Sequence, residues 1–278
     1  MLFVHASTLL LPGGAPQHVL VRKESAPAPF FLPTASAFLD NITGTGGAVR
    51  RTTPEARHAR QSRSDERVAV AVRAPAGPPA GGFPSHSAWQ QAPPVRFSAD
   101  WQGKNADSRR ETEVRLLWTP QILYLRFVAR FRSITVFPDA EPNGRRDHLW
   151  DRDVAEVFLQ ADTRAPRRYQ EFEISPNGFW IDLDIAPGEK RDLRSGLSRR
   201  VSLDEAAKVW TAELAIPMPS LVRRFDPAAA WRVNFFRIEG PAEARFYSAW
   251  RPTGTPQPNF HVPEAFGTLV FQDAHSRE

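Results

Sequence analysis

The 278-residue sequence contains no cysteine. That excludes disulfides, thiolate nucleophiles and every cysteine-based zinc site. It leaves the compartment open, because a sufficiently large domain can be secreted without disulfides. Long hydrophobic runs are missing too. No stretch of about 18 apolar residues occurs, so no helical membrane span is expected. GxSxG, HExxH and a phosphate-binding glycine loop are absent, and with them the commonest signatures of hydrolases, metalloproteases and nucleotide binders. Charge of one sign is scarce in most of the chain. Most of the net charge of +5 belongs to residues 1–88, which hold nine Lys/Arg and five Asp/Glu. The remainder is nearly balanced, so a nucleic-acid partner is not expected.

What is present divides the chain in two. Residues 1–65 show no apolar period of 2 or 3.6, and are broken by Pro12-Gly13-Gly14, Pro27, Pro29, Pro33 and Gly46-Gly47, followed by an arginine-rich run from Arg50 to Arg67. Such a segment cannot bury enough apolar surface to offset chain entropy. It reads as disordered, as an extension upstream of the native start, or as a basic interaction tail. Met1–Leu11 lacks the basic start and long apolar stretch of a signal peptide. Residues 66–278 read as the folded domain.

In that domain strands dominate. Val68–Val72 is a candidate first strand. Glu113–Trp118 and Ile122–Arg130 follow, then Val154–Gln160. Tyr169–Ser175 and Phe179–Ile185 flank a tight Pro176-Asn177-Gly178 turn. Lys208–Ile216, Trp231–Ile238, Arg245–Ala249 and Gly267–Phe271 complete the set, with a helical turn at Pro217–Leu221 and a loop from Pro187 to Arg199. In Val154–Gln160, Val154, Glu156 and Phe158 share one face, and Ala155, Val157 and Leu159 the other. Phe179, Ile181, Leu183 and Ile185 are expected inward, with Trp180, Asp182 and Asp184 outward. About nine short, turn-punctuated strands without a convincing amphipathic helix predict an all-β fold. The expected form is an antiparallel β-sandwich of the jelly-roll or Ig-like kind, behind a largely disordered N-terminal extension.

The mouth of the Val154 strand gathers Asp147, His148, Trp150, Asp151 and Asp153. Aromatic rings beside polar groups at strand ends suit sugar recognition. A pyranose presents an apolar C–H face to Trp, and hydroxyls to carboxylates, amides and Arg. Trp150, Trp180 and Trp250 have such neighbours, whereas Trp210, Trp118 and Trp231 read as core. Asp151 and Asp153 are candidate oxygen ligands for calcium, without the glycine and terminal glutamate of an EF-hand loop. Glu171 with Glu173, or Glu156 with Asp153, could form a glycosidase pair only at a defined separation across a cleft. The long proline-stiffened segment Trp250–Gly267 is of the kind that carries function.

The run Leu149-Trp150-Asp151-Arg152-Asp153-Val154-Ala155-Glu156-Val157-Phe158-Leu159 resembles the W-x-x-D-x-V-E-[VI]-F signature of family 9 carbohydrate-binding modules, which have DOMON-like β-sandwich folds. Tyr169–Gly178, Arg232–Arg237 and Phe266–Leu269 fit as well. Pro258-Asn259-Phe260-His261-Val262-Pro263-Glu264 resembles the ending of a bacterial stand-alone branch. The resemblance spans about Trp89 to Phe271. It implies a non-catalytic module for the ends of plant or microbial polysaccharide, in a carbohydrate-degradation setting. It also implies an extracellular or periplasmic location, a monomer and a structural calcium. Trp150 and Trp250 would sandwich the sugar. Glu156, Glu173, Arg237, Asn259 and, less centrally, His261 would hydrogen-bond to it. Glu173 and Arg237 depart from the family's pattern as a Glu–Arg swap, which puts its cellulose or xylan specificity in question here. The alternatives are a protein-docking β-sandwich and a glycoside hydrolase.

Overall fold

The computed structural model describes residues 68–75 and 82–274. The extension expected over 1–65 lies outside them. Thirteen strands form one continuous sheet. In chain order they are β1 (Val68–Arg73), β2 (Val95–Phe97), β3 (Thr112–Trp118), β4 (Ile122–Arg130), β5 (Val154–Gln160), β6 (Tyr169–Ile174), β7 (Trp180–Ala186), β8 (Glu189–Asp192), β9 (Ser198–Asp204), β10 (Val209–Pro217), β11 (Trp231–Glu239), β12 (Phe246–Ala249) and β13 (Gly267–Gln272). The helices α1 (His86–Trp89) and α2 (Met218–Leu221) are single turns.

The sheet order is β8-β7-β6-β5-β11-β13-β1-β3-β4-β10-β9, with β12 added to β11 and β2 to β3. The path bends at β11. One edge of that strand pairs with β5 over residues 232–238. The other edge gives residues 231–233 to β13 and residues 236–239 to β12. The two halves of the curled sheet then face each other across one core. Leu123, Leu125, Phe127 and Ala129 of β4 meet Trp210, Ala212, Leu214 and Ile216 of the adjacent β10 on that inner side. Ala155, Val157, Phe172, Ile174, Val233 and Phe235 close it from the other half. Phe127 and Phe235 touch edge to face across the core, centroids 6.4 Å apart.

The all-β expectation holds, with a correction. β1 runs parallel to both of its neighbours, β13 and β3, so the sheet is mixed and curled rather than a plainly antiparallel sandwich. Three strands were missed, β2, β8 and β9. β8 and the start of β9 lie where a loop was expected, because Glu189–Asp192 is fully exposed and Ser198–Asp204 mostly so; edge strands need no apolar stripe.

The facing of β7 was also inverted. Trp180 and Asp182 pair beside Ile174 and Phe172, which puts them on the inner side. Ile181, Leu183 and Ile185 belong to the outer side. The physical reason is that this half of the sheet is covered on both faces, so polarity no longer reports direction. The cover is the segment Trp250–Phe266. Phe260 stacks on Phe236 with centroids 4.2 Å apart, and Phe266 packs edge-on to Tyr169 at 5.4 Å. Each buried Phe contributes about 1.5–3 kcal/mol. A hydrogen bond from Trp101 Nε1 to the Thr255 carbonyl, at 2.9 Å, ties down the middle of the segment.

Candidate ligand site on the outer face of the sheet

The site begins at a turn. His148 adopts a left-handed conformation (φ +55°) and starts the short 3₁₀ turn Leu149–Asp151. Leu149 is buried in the outer apolar layer and anchors the turn, which leaves the Trp150 ring half-exposed at the edge of that layer. His148 lies against the ring, centroids 4.8 Å apart. Lys190, from the exposed strand β8, stands over it with Nζ 3.9 Å from the centroid, a cation–π arrangement.

Next to this edge three carboxylates converge. Glu156 of β5 pairs directly across from Glu173 of β6, and Glu171 lies two residues back on the same face of β6. One oxygen from each lies within 4.8 Å of the others, the only such group of three or more metal-competent side chains among the described residues. Glu156 is 2% exposed, Glu171 3% and Glu173 1%. Yet Glu156 Oε1, Glu171 Oε2 and both oxygens of Glu173 accept no hydrogen bond from an N–H or hydroxyl of the protein. Burial, and then the charge of Glu171, push the Glu156 carboxyl well above the usual carboxylate range. Burial does the same at Glu173, reinforced by the charges of Glu156 and Glu171 and by a proton that Glu171 and Glu173 can share between their carboxyls, and opposed by Lys190.

An aromatic wall borders the carboxylates. Phe158 stacks on Tyr169 and on His261, each with centroids 5.3 Å apart. Tyr169 Oη and His261 Nδ1 share a 2.6 Å hydrogen bond, and the same His261 nitrogen lies 4.0 Å from Glu171 Oε2. Burial, with the nearby glutamates, raises the Tyr169 phenol. The Asn259 side-chain oxygen accepts from the His261 backbone N–H at 3.0 Å, which fixes the local turn; both residues are exposed. Trp150, Glu156, Glu173 and His261 thus share this face, with Asn259 beside it on the covering segment.

The other residues expected there lie elsewhere. Trp250 packs against the inner core, its ring 5.5 Å from Phe235, so the two tryptophans lie on opposite sides of the sheet and form no sandwich. Arg237 pairs beside Ala155 on the inner side and is 1% exposed. It donates to the Arg130 carbonyl at 2.7 Å and to Glu239 at 3.1 Å, and lies over the Trp210 ring. Alternation along β11 and past β12 sends both side chains inward. Arg237 therefore forms no charge pair with Glu173; its partner is Glu239.

Asp151 and Asp153, the expected calcium ligands, sit in different surroundings. Asp151 is exposed, whereas Asp153 is fully buried and accepts from the Gly240 N–H at 2.7 Å. Burial lifts the Asp153 carboxyl to about 6 against the pull of Gly240 and Arg237. Glu156 and Asp153 also point to opposite faces, which removes them as an acid/base pair. Sequence reading missed Lys190 and undervalued Glu171 and Tyr169, although Tyr169-x-Glu171-x-Glu173 is a period-2 pattern registered on Glu156.

A surface hollow of about 860 Å³ lies away from this face, along residues 161–170 and 221–231. Two of its arginines, Arg164 and Arg168, are already paired with Asp162 and Asp184. The converging unpartnered oxygens on the outer face make the more specific site.

Known proteins share the fold. No family profile matches the sequence. A protein of the fungus Arthroderma benhamiae, described as an extracellular protein, is 25% identical over 178 residues, 58% of this chain and 78% of the relative. Among solved structures, a candidate carbohydrate-binding protein from Bacteroides uniformis superposes with a TM-score of 0.59 at 18% identity, over 74% of this chain and 99% of the other. A family 9 carbohydrate-binding module from Caldicellulosiruptor kristjanssonii, in complex with cellotriose, gives 0.55 at 13% identity over 76% and 95%. In complex with glucose, a family 9 module from the same organism gives 0.52 at 14% over 75% and 98%. The fold is therefore that of carbohydrate-binding modules. No helix among the described residues is long and apolar enough to cross a membrane.

Proposed function

We propose that this protein binds carbohydrate, without turning it over, on the outer face of β5–β6–β7. The observation that carries the reading is the group of buried, unpartnered carboxylate oxygens on Glu156, Glu171 and Glu173 beside a half-exposed Trp150. Buried acceptors without donors are costly and demand partners. Sugar hydroxyls supply O–H donors to ionised oxygens, and a pyranose supplies a C–H face for the indole. Binding displaces the Lys190 head from the ring and shifts His261 and Asn259, which lie on the exposed side of the covering segment. One fact supports a binding role over hydrolysis: the carboxylates are packed side by side on two paired strands and buried, rather than set on opposite sides of a cleft. The shared fold with modules solved in complex with cellotriose and glucose supports the ligand class. An extracellular or periplasmic location follows from that ligand and agrees with the description of the fungal relative.

A glycan array on the full chain, run beside Glu156→Gln and Trp150→Ala, tests this. Each variant should fold and lose affinity roughly 10- to 100-fold, the weight of a charge-assisted hydrogen bond or a stacked ring. Binding that both variants retain would rule the face out.

A further inference from the structure

We propose that Glu156, Glu171 and Glu173 hold a divalent cation, calcium, at the base of the candidate sugar site. Four features carry this. Three carboxylates from two adjacent strands aim at one point with one oxygen apiece. The residues are at least 97% buried, and four of their six carboxylate oxygens accept no hydrogen bond from an N–H or hydroxyl of the protein. No Lys or Arg side chain pairs with them among the described ion pairs; Lys190 acts on Glu173 from beyond ion-pair distance, and His261 Nδ1, 4.0 Å from Glu171 Oε2, is already engaged by Tyr169. A buried group of three carboxylates with no close Lys or Arg partner is unfavourable in its ionised form.

The ligand set selects the metal. Magnesium keeps several waters and is held by one or two carboxylates, whereas calcium accepts several carboxylates in a flexible shell. The three glutamate oxygens lie within 4.8 Å of one another, close enough to share one ion. All-oxygen, carboxylate-rich donors suit a hard cation and not zinc or copper. The triad supplies three of the 6–8 ligands that calcium takes. Water fills the rest in the free protein, and vicinal sugar hydroxyls replace water when ligand binds. That last clause rests on the carbohydrate reading; the cation site itself does not. It is also distinct from the calcium expected at Asp151 and Asp153.

The test uses the full chain stripped with EDTA, then returned to calcium, without sugar. Titration calorimetry should show one site. The melting temperature should rise by roughly 5–10 °C at a calcium concentration 100-fold above Kd. The Glu171→Gln/Glu173→Gln double variant should lose both responses while remaining folded, because it removes like charges, and Asp151→Asn should keep both. No heat and no melting shift at millimolar calcium would overturn the inference, as would a response that the double variant keeps. Sugar binding is then measured with and without EDTA. A loss in EDTA that calcium restores supports the shared site. Sugar binding indifferent to EDTA overturns the coordination of hydroxyls while leaving the carbohydrate reading intact.

Discussion

Removing one charge from the glutamate triad should stabilise the metal-free protein, although it alters a fully buried residue. Glu173 is the informative position, since neither of its oxygens accepts from an N–H or hydroxyl of the protein and it is 1% exposed. Glutamine has the same shape and removes the ionisable group. Two ionised carboxylates with oxygens within 4.8 Å repel by at least about 3.5 kcal/mol at an effective dielectric of about 20. The protein escapes this repulsion by holding protons, which itself costs free energy as pH rises. The Glu156 and Glu173 carboxyls lie above their ordinary value of 4.5 in the folded state. The stability tied to their neutral form is therefore fully present below pH 4.5 and is lost as pH rises through the raised folded values. In EDTA at pH 8, Glu173→Gln should gain about 2–3 kcal/mol, a rise in melting temperature of roughly 5–10 °C for a domain of this size. At pH 4.5 the gain should nearly vanish. Thermal melts at the two pH values read the difference directly. A variant less stable than wild type at pH 8 in EDTA, or equally shifted at both pH values, would refute the reasoning.

Two other perturbations probe the residues assigned to the inner side. Trp250→Ala should cost about 2–4 kcal/mol in urea unfolding, because the ring packs against Phe235 and the core; its sugar affinity per folded molecule should be unchanged. Asp153, lifted to about 6 by burial from an ordinary 3.8, makes wild-type stability fall by about 2 kcal/mol between pH 4 and pH 7. Asp153→Asn keeps an oxygen for the Gly240 N–H and should lack that part of the decline, so a pH series of melts in which both proteins fall in parallel would contradict the assignment.

Most of the strand plan was readable because the inner core obeys strict alternation. β4, β5 and β10 alternate in the register expected, with Leu123, Leu125 and Phe127, Ala155, Val157 and Leu159, and Trp210, Ala212 and Leu214 on the inner side. The rest failed for identifiable reasons. The edge strands β8 and β9 expose nearly every side chain and so carry no alternation. β7 carries apolar residues on one side and Trp180 with a buried Asp182 on the other, and polarity gave the wrong side once Phe260 and Phe266 covered the outer layer. The parallel pairings of β1 depend on long-range topology that no local pattern records. At the site, Trp150, Glu156 and Glu173 were legible from the motif and the period of two. Trp250 and Arg237 were misplaced because a likeness in linear order does not fix which side of a strand faces the ligand. Lys190 was invisible, since only tertiary structure lifts β8 to the Trp150 ring.

The central claim is that ligand binds the outer face of β5–β6–β7. The most direct measurement is an NMR titration of the ¹⁵N-labelled full chain with a neutral oligosaccharide chosen from the array. The expected result is saturable shift changes centred on Trp150, Glu156, Tyr169–Glu173, Lys190 and Asn259–His261. Shifts confined to the surroundings of Trp250 and Arg237, or to the arginine-lined hollow at residues 161–170 and 221–231, would contradict it.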